Sequence, residues 1–266
     1  MAASPTAVSS SAASTPHERS SSPRRKLRAD DLYFGAMMLV IVVTVFLGFA
    51  RTYYLAPIYH THVRNLLIAV HGAAFSAWIV LLVVQTTLVA RRNIALHRRL
   101  GIFGAVLAVA MVGLGVAAAT DSLALGFTPP GFRLGPVVFY SIPIFGMARF
   151  AVLIFFAIWL RSNGPAHKRL VLLATLAVVS PAIDRWLAFM RVQHTTIHLP
   201  ATYVVVNLLV LSLVVFDLST IRRIHRATLL GLLFIFVTGA LTVPVARSAG
   251  WHKFATFALH VRAHLG

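Results

Sequence analysis

Seven stretches of this chain, each about twenty residues long, are overwhelmingly apolar and almost free of charge: 32–50, 66–90, 100–120, 136–160, 170–190, 201–218 and 228–246. A bilayer core of about 30 Å takes about 20 residues of helix to cross. Inside it every backbone N–H and C=O must find a partner, which a helix provides within its own segment. The chain therefore reads as all-α, a polytopic transmembrane helical bundle with seven predicted helices. Composition agrees, with 59% of 266 residues hydrophobic, 11% charged and a mean hydropathy of +0.84, too apolar for a soluble domain. A disordered chain, a coiled coil and a disulfide scaffold are excluded by the apolar runs, the lack of heptads and the absence of cysteine. Without cysteine there is also no thiolate metal site, covalent c-type haem attachment or redox thiol.

The formal charge of +18 would suggest nucleic acid in a soluble protein. Here the cations fall in short clusters between apolar segments, so no nucleic-acid partner is expected. Counting Lys and Arg by alternate side gives fifteen with the N-terminal tail and seven opposite. The positive-inside rule then predicts a multi-pass protein of the cell inner membrane, N-terminus cytoplasmic and C-terminus extracytoplasmic. The lipid bilayer is the expected partner, with anionic headgroups meeting the basic cytoplasmic loops. Residues 1–29, rich in Ser, Ala and Pro, read as a disordered cytoplasmic tail, 30–248 as the transmembrane domain, and 249–266 as an extracytoplasmic tail. Arg24 and Arg25 resemble part of an export signal, but 32–50 is long enough to span and reads as an uncleaved anchor.

Polar residues inside the apolar segments carry the functional expectation, because they are costly against lipid and should face the bundle interior. In the second segment His71, Trp78 and Gln85 recur every seven residues, one stripe drifting by about 20° per repeat. His71 lies roughly 8 Å inside its segment's end. Tyr140, Ser141, Asp184, Asn207 and Thr242 fall at comparable depths in their own segments, so that with Arg185 they could line one outward-facing cavity. His71 or Arg185 is the expected partner of the Asp184 carboxylate. Arg149, near the middle of the fourth segment, needs a partner, water or an anionic ligand, and its reach includes the level of Trp78, permitting a cation–π contact. The same hydroxyls, amides and imidazoles also serve in membrane bundles as interhelical hydrogen-bond glue.

Outside the segments, His60, His62, His194 and His198 raise the question of a metal site, which needs three or four converging ligands. For haem b, His71 is the only histidine well inside a predicted span, leaving His194 or His198 as the conceivable second ligand. The glycines Gly101, Gly104, Gly113 and Gly115 suggest close helix packing. There is no nucleophile elbow, phosphate loop or metalloprotease helix, and no catalytic residue is assigned. An echo runs through His97-Arg98-Arg99-Leu100, His167-Lys168-Arg169-Leu170 and His225-Arg226, each opening a helix. Basic anchoring of helix starts explains it as well as a repeated hairpin does.

The segment His71 to Gly104, with His71, Trp78, Gln85 and Leu96-His97-Arg98-Arg99-Leu100-Gly101, resembles uncharacterised bacterial multi-pass membrane proteins that share a His…Trp…Gln…His-Arg-x-Leu-Gly pattern. The resemblance covers about an eighth of the chain and implies bacterial origin, a polytopic helical fold, and weight on His71, Gln85 and His97. The expected function is binding of a small ligand or redox cofactor, quinone or haem, in the outward-facing cavity. A transporter or channel using the intramembrane charges, and a structural or assembly subunit of a membrane complex, are the alternatives.

Overall fold

The computed structural model describes residues 29–129, 132–190 and 198–265. The expected tail lies outside these apart from Ala29, and so does His194. The helices are α1 (Ala29–Phe49, continued by a π-helical turn Ala50–Tyr54), α2 (Leu66–Ala90), α3 (Ile94–Ala124), α4 (Pro136–Trp159), α5 (Gly164–Leu176), α6 (Ser180–Phe189), α7 (His198–Ile221), α8 (Arg226–Ala246) and α9 (Ala249–Leu265). Asn65, Asn93 and Asn163 open α2, α3 and α5, each side chain accepting a first-turn N–H. Gly135, at φ 81°, turns the chain into Pro136 at the head of α4.

Six helices are each long and apolar enough to cross a membrane, and the pair α5 and α6, bent by 45° at its break, passes the same test when taken together as one span. The chain is a multi-pass membrane protein. The uninterrupted helix expected over 170–190 is instead two pieces. Pro181 in the first turn of α6 has no N–H to give to the preceding turn, and its ring disfavours helical geometry just before it. At about 46 Å, α3 outruns the bilayer core and carries Asp121 beyond the predicted segment 100–120. The residues read as an extracytoplasmic tail form α9, whose Trp251 and Ala255 are buried against α3 and α4.

Antiparallel succession gathers the helix starts after Arg91–Arg92, Arg161 and Arg222–Arg223 at one end, the basic end, together with the start of α1. The starts of α2, α4, α7 and α9 lie at the far end. Flanks such as Val80, Val109 and Leu208, each more than 60% exposed, face outward as lipid contact requires. Lipid tails are as apolar as leucine, so cohesion comes from close approach rather than from water exclusion. A side chain on Gly48 would run into the Ala182 backbone of α6, and one on Gly115 into Met147 of α4. Gly104 lies against Leu81 of α2, whereas Gly113 faces open space and does not serve packing.

Candidate functional site

The polar residues of the far half fall into three local groups, around Arg149, around Asp184 with Arg185, and around His71. Arg149 of α4 is the deepest. Helical side chains lean toward their helix N-terminus, so Arg149 points toward the far end, where Nε donates to Thr238 Oγ1 of α8 at 2.9 Å. Its Nη2 donates to the Thr238 carbonyl at 3.2 Å and to Thr242 Oγ1 at 2.7 Å. Tyr203 of α7 lies within electrostatic reach of the guanidinium. Next to it on α7, Thr202 donates to Asp184 Oδ1 of α6 at 2.7 Å. Arg185 donates to the Pro181 carbonyl at 3.1 Å and sits over the Phe49 ring of α1 at 4.6 Å. It also lies within electrostatic reach of His71.

His71 leans toward the Leu114 carbonyl of α3 and stacks on Phe75, 4.3 Å between centroids. Its Nδ1 is buried with no hydrogen-bond partner among the described residues. No hydrogen bond or ion pair joins His71 to Asp184 among those residues. Among the described residues Arg149 meets only hydroxyl and carbonyl oxygens, although it lies within a membrane-spanning helix.

The other expected site residues fall elsewhere. Trp78 lies at mid-depth, its Nε1–H donating to Thr175 Oγ1 of α5 at 3.2 Å and its ring edge-on to Phe150 at 5.3 Å. The cation–π contact expected between Arg149 and Trp78 is not among the described ring contacts, because α8 holds the guanidinium. Gln85 reaches the basic end, where Nε2 donates to the His97 carbonyl at 3.2 Å while Oε1 is buried with no partner among the described residues. Tyr140 belongs to a separate cluster, bonded to Thr120 at 2.9 Å and packed on Trp251 of α9. Ser141 turns back to the Val138 carbonyl. Asn207 stands one turn from Tyr203 on α7, half-buried.

Two charged knots went unremarked in the sequence. At the basic end Arg169 of α5 grips Asp217 of α7 through Nε at 2.9 Å and Nη2 at 2.5 Å, both side chains almost fully buried. Asp217 Oδ2 also accepts from Thr228 Oγ1 at 2.6 Å and from the His225 N–H at 3.0 Å. At the far end Asp121 receives Arg64, Asn65 and Arg262, the last at 2.7 Å, tying α3 to the start of α2 and to α9. Scarcity was the available signal: the chain has only six acidic residues, so each one in or beside a span merits a partner search.

The sequence echo has a spatial counterpart, since His97 and His167 meet edge to face with centroids 6.3 Å apart. His167 Nδ1 bonds the Ala157 carbonyl at 2.8 Å, and His97 Nδ1 is buried and unpartnered. Among the described residues no three His, Cys, Asp or Glu side chains are placed to hold a metal ion. The expected convergence of His60 and His62 with His194 and His198 falls partly outside them, as does the haem pairing of His71. No family model, curated protein or solved structure matches the chain.

Proposed function

We propose that this protein, set in a bacterial inner membrane with its basic end in the cytoplasm, binds a small apolar molecule carrying strong hydrogen-bond acceptors in the far half of the bundle. The bacterial assignment rests on the resemblance of the His71–Gly104 segment, and the orientation on fifteen cations against seven. One observation carries the ligand reading: Arg149, a cation within a membrane-spanning helix, meets only hydroxyl and carbonyl oxygens among the described residues. A quinone, whose carbonyl oxygens only accept, suits the guanidinium donors of Arg149 and Arg185, and its apolar body suits Phe49 and Phe75. Haem would need a second axial ligand besides His71.

The test is titration of the purified protein with a short-chain quinone, together with solvent extraction and an optical spectrum. Saturable binding that weakens at least tenfold in His71→Ala and Arg149→Met supports the reading. Absence of any bound lipid-like molecule or Soret band, with His71→Ala as stable as wild type, overturns it.

The break between α5 and α6 favours a second reading, a transporter, since discontinuous helices mark many membrane substrate sites. Solute or proton flux in reconstituted vesicles that vanishes in Asp184→Asn supports it, and flux equal to empty vesicles rejects it. In either case the basic loops would meet anionic lipid headgroups.

A further inference from the structure

Between α4, α5 and α8 at the basic end lies a groove of about 680 Å³, within the range of small-molecule sites. Its mouth and its floor differ in chemistry. Arg223, Arg226 and Asn163 stand at the mouth, while Phe156 of α4 and Leu230 and Phe234 of α8 line the track leading away from it. Arg222, at φ 58°, reverses the chain sharply between α7 and α8 and puts Arg223 and Arg226 on the same opening. Neither guanidinium has an ion-pair partner among the described residues, because the acidic group of this corner, Asp217, is engaged by Arg169, Thr228 and the His225 N–H. The track is open to the flank, with Leu230 64% and Phe156 48% exposed. From Arg226 to Phe234 it runs about 12 Å along α8.

We infer that this groove binds one anionic phospholipid, its phosphate between Arg223 and Arg226 and an acyl chain laid along α8 against Phe156, Leu230 and Phe234. The inference rests on the basic end meeting anionic headgroups, and it narrows that reading to one site. Charge complementarity selects the occupant. Two guanidiniums with no ion-pair partner among the described residues, at headgroup depth, call for an anion, and the apolar track at bilayer depth calls for a hydrocarbon chain on the same molecule. A soluble phosphate would leave the track unfilled, and a zwitterionic lipid would bring its own cation to the arginines.

Wild-type protein in nanodiscs of mixed phosphatidylglycerol and phosphatidylcholine, released into mild detergent and weighed by native mass spectrometry, supplies the test. Wild type should retain one phosphatidylglycerol in preference to phosphatidylcholine by at least fivefold. Arg223→Gln with Arg226→Gln should abolish the preference, while Arg91→Gln with Arg92→Gln, in another basic loop, should keep it. Leu230→Trp, which fills the track at a lipid-facing position and leaves both arginines, should lower retained lipid at least threefold. A preference that survives Arg223→Gln with Arg226→Gln, or that falls equally in the Arg91, Arg92 variant, overturns the site while leaving the general reading of the basic loops. No preference in wild type overturns both.

Discussion

The Arg169–Asp217 knot at the basic end and the Arg149 cluster in the far half place a guanidinium among helices to opposite ends. In the knot one guanidinium meets one carboxylate, and the carboxylate's second oxygen is closed by Thr228 and a backbone N–H. In the far half Arg149 meets no carboxylate among the described residues and rests on threonines that already bond their own helix: Thr238 to the Phe234 carbonyl and Thr242 to the Thr238 carbonyl. A saturated buried charge pair fixes packing and offers a newcomer nothing. A cation held only by neutral oxygens keeps capacity for a molecule that brings acceptors.

The sharpest way to break this contrast is Asp217→Ala. It strands a buried guanidinium, and the expected loss is about 3–5 kcal/mol, read as a fall in the thermal midpoint in detergent; wild-type stability would mean the knot is not an anchor. Trp78→Phe comes next. It removes the indole donor between the two regions, but Thr175 keeps its bond to the Val171 carbonyl, so a loss of about 1 kcal/mol is expected. Arg149→Met should change stability by less than about 1 kcal/mol despite deleting an intramembrane cation, because no donor or acceptor is orphaned. A collapse as large as that of Asp217→Ala would place Arg149 with the knot and end the contrast.

The smallest effect concerns pH. Burial, with Arg169 nearby, lowers the pKa of His225 below its ordinary value of 6.5, and the neutral ring accepts the Ala227 N–H that opens α8. The folded state then binds fewer protons than the unfolded state just below pH 6.5, so stability is full above that value and declines as pH falls toward the folded pKa. His225→Asn, which keeps a capping acceptor, should flatten that part of the thermal-midpoint profile. An unchanged slope would mean that His225 does not contribute.

The apolar helical segments were legible because length and apolarity dictate them, and depth was legible because a helix rises a fixed 1.5 Å per residue. Counting along each segment placed His71, Asp184, Arg185 and Thr242 near one level, and contacts link these helices. Azimuth was not legible, since it depends on how neighbours pack. Tyr140 shares that depth yet faces α3 and α9, and Gln85 shares the stripe of His71 yet serves the basic end. Arg169 and Asp217 were hidden for another reason: one counted among loop cations and the other fell at a segment's end, and only folding brings residues 48 positions apart into one bond.

Gly48 has no side chain to offer any ligand, yet α1 and α6 meet backbone to backbone there, at Ala182. Asp184 and Arg185 lie two and three residues beyond that touching point. Even one added methyl would wedge α6 away from α1 and swing both charged groups as a unit, so a chemically inert position far from any reacting atom sets their aim.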